Sequence, residues 1–143
     1  MHVRYSICFI ALFVMTTVGG AQEPPKRVER TPAPLTSPAS GSEMFMSYCA
    51  SCHGKDAKGN GPAASAFKVA PTDLTALAKK NGGKYPSLKV AAVLSGQTDL
   101  AAHGNKEMPL WGVVFRRMSG GHESEVQQRV ANLNHYLESL QAK

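Results

Sequence analysis

The sequence predicts an all-α domain, and three observations carry that expectation. Apolar residues recur at three- and four-residue spacing in four stretches beyond residue 40, the period of a helix with one buried face. Ser, Asp and Pro stand at the start of the first three, and Gly82-Gly83 and Gly96 stand at the ends of two, as helix start and stop signals do. No stretch alternates apolar and polar residues as a half-buried strand would.

The chain has 143 residues, enough for one domain and not two. Residues 1–21 read as an export signal. Arg4 supplies the positive start, Ser6 to Val18 is mostly apolar, and Gly19-Gly20-Ala21 offers a cleavage site after Ala21. The apolar run is shorter than the roughly 20 residues that span a bilayer. An uncleaved membrane anchor is the competing reading. Cys8 lies inside this segment and is lost with it. Residues 22–40 contain Pro24, Pro25, Pro32, Pro34 and Pro38 among small and charged residues, which predicts an extended linker or tail. The domain is expected over residues 41–143. About 100 residues give only marginal stability by burial alone, a shortage that a large buried cofactor would relieve.

Within that domain Ser42 is expected to cap a first helix running from Glu43 to Cys52. Met44, Phe45, Tyr48, Cys49 and Cys52 fall on one side of it. Gly54 to Pro62 reads as a turn-rich loop. Pro71-Thr72-Asp73 starts a second helix through Leu74, Leu77 and Ala78. Pro86-Ser87 starts a third through Leu88, Val90, Val93 and Leu94. Residues 97–112 read as loop. The last helix is expected from about Glu123 to Leu140, with Val126, Val130, Leu133, Leu137 and Leu140 as its apolar stripe and Tyr136 beside it.

Once the signal is removed, two cysteines remain, and His53 follows the second. Cys49-Ala50-Ser51-Cys52-His53 is C-x-x-C-H, the haem attachment signature. Cysteines three residues apart on a helix face the same way, so both thiols can reach the two vinyl groups on one porphyrin edge. His53 comes next and is expected to ligate the iron, with its other ring nitrogen held by a backbone carbonyl. Three other readings fit less well. A redox C-x-x-C belongs in a βαβ setting, and no strand precedes it. A zinc site wants a fourth ligand, for which only His103 or His122 could serve. A plain disulfide leaves His53 unexplained.

The sixth-ligand candidates are Met44, Met46, Met108, Met118, His103, His122 and His135. Met108 is preferred. It opens Met108-Pro109-Leu110-Trp111-Gly112, where proline stiffens a loop that must hold a thioether in one place. Trp111 reads either as core beside the haem or as an indole donor to a haem propionate. His103 reads as a residue near the site and not a ligand.

With these residues in view, the chain resembles class I c-type cytochromes, bacterial periplasmic monohaem members in particular. The likeness covers Gly41 to about Leu140. Gly41 and Phe45 match the Gly and aromatic that the family places on its first helix, and Leu133 with Tyr136 match their counterparts on the last. The stretch from Ala102 to Gly112 is similar to the bacterial subgroup, as are Gly59-Asn60-Gly61-Pro62 and Pro71-Thr72-Asp73-Leu74-Thr75. The resemblance implies three to five short helices wrapped around one haem c, bound through Cys49 and Cys52, with His53 and Met108 on the iron. It also implies a proline carbonyl as acceptor for the haem histidine. Pro62 and Pro71 both qualify, and the sequence does not choose between them.

Net charge is +6 over the whole chain and one less without the signal, where Arg4 is the only charge. That balance is too weak and scattered for nucleic acid. Lys79, Lys80, Lys84 and Lys89 form a run with no acid between Asp73 and Asp99. It reads as solvated helix ends or as a docking face for an acidic redox partner, where charge sets association rate. The expected function is therefore a periplasmic, monomeric electron carrier and not an enzyme. The rivals are a fixed haem subunit of a larger dehydrogenase or oxidase complex, and an open-site haem enzyme or gas sensor.

Overall fold

The computed structural model describes residues 33–97, 108 and 110–142. The expected signal at 1–21, most of the Pro-rich segment, His103 and Pro109 lie outside them. The described residues form five helices and no strand, so the all-α expectation holds.

Helix α1 is composite: an α segment Gly41–Met44, a π-helical turn Phe45–Cys49 and an α segment Ala50–His53. Its cap is Ser40 and not Ser42. Ser40 has the extended backbone that a cap requires, and its hydroxyl accepts from the amide of Glu43 at 3.2 Å. Ser40-Gly41-Ser42-Glu43 has capping-box spacing. Ser42 already sits inside the first turn. The π turn is marked by the amide of Ala50 bonding back five residues to Phe45, which inserts one residue into the helical register.

Beyond α1 the chain doubles back and satisfies the helix's last carbonyls. The amides of Ala63, Gly61 and Gly59 donate to Ser51, Cys52 and His53 at 2.9, 3.1 and 2.7 Å. Those carbonyls have no partner within the helix. The close approach needs glycine: a Cβ on Gly61 would collide with the Ser51 carbonyl, and one on Gly59 with that of Pro71.

Helix α2 opens with a 3₁₀ turn, Leu74–Ala76, and continues as Leu77–Lys80. Asp73 caps it, accepting from the amide and hydroxyl of Thr75 at 2.9 and 2.7 Å. Helix α3, Ser87–Ser95, stops at Gly96 in the left-handed region. Helix α4, Trp111–Met118, is absent from the sequence reading, which takes residues 97–112 as loop and assigns no element between them and Glu123. Here Gly112 is a packing residue: a side chain there would strike the Ser95 carbonyl. Trp111 and Phe115 lie four residues apart on the buried side. Helix α5, Glu123–Ser139, buries Val126, Val130, Leu133 and Leu137 as its stripe requires, and also Arg129 and Asn134.

Helix α5 is the member on which the others hang. Gly41 of α1 abuts the Asn132 carbonyl and Tyr136, and the Phe45 and Tyr136 rings meet at 5.5 Å. For α2, the Gln141 side chain accepts from the amide of Ala78 and donates to the Leu74 carbonyl. For α3, Asn134 donates to the Ser87 carbonyl and accepts from the Tyr85 hydroxyl.

Residues 34–40, read from sequence as linker, belong to this body. Thr36 is buried, and the carbonyl of Pro38 accepts from Asn132 at 2.9 Å. Composition hides the fact because its partners on α5, Arg129 and Asn132, lie more than ninety residues away.

Candidate cofactor site

One cavity of about 430 Å³ opens between α1 on one side and α2, α3 and the start of α4 on the other. Cys49, Cys52, His53 and Met108 all line it. The walls between them are mostly apolar, with Leu74, Leu77, Val93, Leu94, Trp111 and Leu137 among the lining side chains. Two thiols, an imidazole and a thioether thus face one apolar space of cofactor size.

The C-x-x-C-H segment owes its direction to α1. Cys49 closes the π turn and is buried, while Cys52 and His53 are half-buried in the next turn. Burial pushes the Cys49 thiol up to about 12, and the neighbouring Cys52 adds to this. Cys49 is therefore held as a neutral thiol, and neither cysteine is in a disulfide. Gly54 follows immediately with a positive φ of 80°, which turns the chain away so that His53 is the last helical residue.

His53 Nδ1–H donates to the carbonyl of Thr72 at 2.9 Å. The acceptor is neither Pro62 nor Pro71 but the residue after Pro71. The Pro71 carbonyl is turned instead against Gly59. Burial holds the imidazole below its ordinary pKa, opposed by the Thr72 bond. The ring is thus neutral near pH 7, with its proton on Nδ1 and the lone pair of Nε2 available.

Among the described candidates for a second axial donor, Met108 alone lines the cavity. Met44 is fully buried in the core. Met46 is 45% exposed. Met118 packs against the core without reaching the cavity. His122 and His135 are exposed at the two ends of α5. No three His, Cys, Asp or Glu side chains among the described residues form a separate metal cluster.

Trp111 is buried at the cavity wall, stacked on Tyr48 at 5.3 Å and 29° and close to Phe115 at 5.9 Å. The lysine run divides. Lys80 and Lys89 line the cavity, whereas Lys79 and Lys84 stand exposed outside it. Sequence reading missed the site roles of Thr72 and Tyr48. Tyr48 shows only as one apolar position of α1, and a backbone acceptor such as Thr72 leaves no signature in residue type.

A family model described as cytochrome C oxidase, cbb3-type, subunit III matches residues 36–117. The match begins at the buried Thr36, spans C-x-x-C-H and Met108, and ends within α4. No curated protein and no solved structure matches the chain.

Proposed function

The chain belongs to that c-type cytochrome family, and we propose from this membership that it is an exported electron-transfer protein with one covalently bound haem c and His/Met axial ligation. Haem-based electron transfer and haem c are what the family supplies. The finer assignments are ours: Cys49 and Cys52 as thioether donors, His53 and Met108 as axial ligands, the periplasm as the compartment.

One observation carries the reading. Two thiols, a neutral imidazole whose Nδ1–H donates to the Thr72 carbonyl, and a thioether line the same apolar cavity. That donor set fits haem c, which brings one-electron chemistry at a potential that axial ligands tune. The residues here do the rest. Cys49 and Cys52 would hold the group covalently, His53 and Met108 would each offer a donor atom, and the apolar walls would keep water from it. With His53 and Met108 as its ligands the iron would offer no open position to oxygen or peroxide, which supports carriage over catalysis.

The partner is a redox protein with an acidic surface. Lys79, Lys80, Lys84 and Lys89, all exposed, support this, and such charge acts on association rate more than affinity. A second reading has its own support. The matched family is described as an oxidase subunit, so a fixed haem subunit of a larger complex is the alternative to a free monomer.

The deciding experiment has two readouts. Protein run on a denaturing gel should keep haem-dependent peroxidase staining, and the reduced native protein should not bind carbon monoxide readily. Loss of haem into acid-acetone would sink covalent attachment. Gel filtration of a native extract separates the free carrier from the subunit.

A further inference from the structure

Arg129 is 3% exposed, a guanidinium on the inner side of α5. Its Nε and Nη2 donate to one carboxylate oxygen of Glu125 at 3.1 and 2.8 Å. Its Nη1 donates to the hydroxyl of Thr36 at 3.1 Å. That hydroxyl lies 2.7 Å from the hydroxyl of Tyr48, which in turn donates to the Pro34 carbonyl at 2.7 Å.

Only one placement of protons satisfies this chain. A guanidinium donates and never accepts, so Thr36 accepts from Arg129. The single proton of Tyr48 is committed to Pro34. Thr36 must therefore donate its own proton to Tyr48. The cation orients the threonine, and the threonine and the strap together pin the tyrosine hydroxyl at two points.

The other end of Tyr48 belongs to the cofactor site. Its ring lines the cavity and stacks on Trp111. Trp111 is the first residue of α4 and stands three residues after Met108. Pro34, Thr36 and Arg129 do not line the cavity, so their hydrogen bonds reach it through Tyr48.

We propose that Arg129 and Thr36 are positioning residues for the cofactor site. Through the Tyr48 hydroxyl they fix the Tyr48–Trp111 stack, and through Trp111 the start of α4 and the sulfur of Met108. The strap at residues 34–36 is then a working part of the site. This rests on the reading of Met108 as an axial ligand.

The test uses the full-length holoprotein. Thr36→Val removes the hydroxyl at nearly constant volume, and Thr36→Ser retains it. Thr36→Val and Arg129→Met should each lose most of the weak red charge-transfer band of Met–iron ligation and shift the midpoint potential in the same direction. Thr36→Ser should keep both. The Thr36→Val/Arg129→Met double variant should be no worse than Arg129→Met alone. If Arg129→Met does not fold, the Thr36 pair decides the matter. Variants that melt earlier but keep the wild-type band and potential overturn the proposal and leave the carrier reading intact. A wild type without the red band overturns the Met108 assignment, and this proposal falls with it.

Discussion

The rings of Phe45 and Tyr136 meet with centroids 5.5 Å apart and planes tilted by 48°, at the point where Gly41 lets α1 settle onto α5. Phe45 is wholly buried and Tyr136 half so. Phe45→Ala should cost about 3–5 kcal/mol of stability, with Tyr136→Ala costing less. Aromatic pairs in contact carry about 0.5–1.5 kcal/mol beyond burial. A double-mutant cycle by denaturant unfolding should therefore be non-additive by that order, and strict additivity would remove the pair from the list of what holds the crossing.

Attachment is tested residue by residue. Cys49→Ala or Cys52→Ala should each leave one thioether and a weaker haem stain on a denaturing gel. The double variant should release all its haem into acid-acetone. Full staining of the double variant would mean that other side chains hold the group.

Met108 decides the axial chemistry. Met108→His should keep six-coordination and lower the reduction potential, because thioether sulfur favours ferrous iron relative to imidazole. Met108→Ala should open the site to carbon monoxide or azide. Both should lose the red charge-transfer band. An unchanged band in Met108→Ala, read by visible spectroscopy, would move the ligand to another methionine, with Met118 the next to substitute.

Acid should loosen the strap. Glu125 sits below its ordinary carboxylate value of 4.5, chiefly because Arg129 donates to it. A depressed folded-state pKa contributes stability that is complete above about 4.5 and is lost as pH falls through the lower folded value. Glu125→Gln should therefore remove part of the stability difference between neutral and acid pH. Parallel unfolding midpoints for wild type and variant across that range would contradict this.

Ala57 is a non-glycine residue with positive φ, 61°, and it is fully buried in the loop after His53. The left-handed backbone costs an L residue about 1–2 kcal/mol, while its methyl group returns about 0.8 kcal/mol by burial. Ala57→Gly should thus be close to neutral. Ala57→Val, β-branched and without room, should cost roughly 1–3 kcal/mol. Equal melting temperatures for Ala57→Val and wild type would be the contrary result.

Where the chemistry is local the residues announced it. C-x-x-C-H is five consecutive positions, the Gly41–Phe45 pair shares one helix face, and the stripe of α5 repeats with the helical period. Readings that needed a distant partner did not come through. Thr36 looks like one more polar residue among prolines until Arg129 is brought beside it. The acceptor for His53 is a main-chain oxygen, which any residue at position 72 would carry. Gly112 fell in the stretch read as loop because the neighbour it accommodates, the Ser95 carbonyl, is invisible in the local string.

The extra residue in α1 sets a constraint on length. Deleting one residue between Phe45 and Tyr48 would convert the π turn into ordinary α-helix with better-spaced hydrogen bonds. Ala50, which now bonds back five residues to Phe45, would then bond back four, so it would still stack over Phe45. Cys49, Cys52 and His53 would keep their direction toward the cavity while Gly41 and Phe45 kept their seat on α5. Loss of a second residue has no extra turn length to absorb it and would rotate the cofactor-facing residues by about 100° relative to Gly41 and Phe45. The segment from Gly41 to His53 is thus buffered against one change of length and not against two.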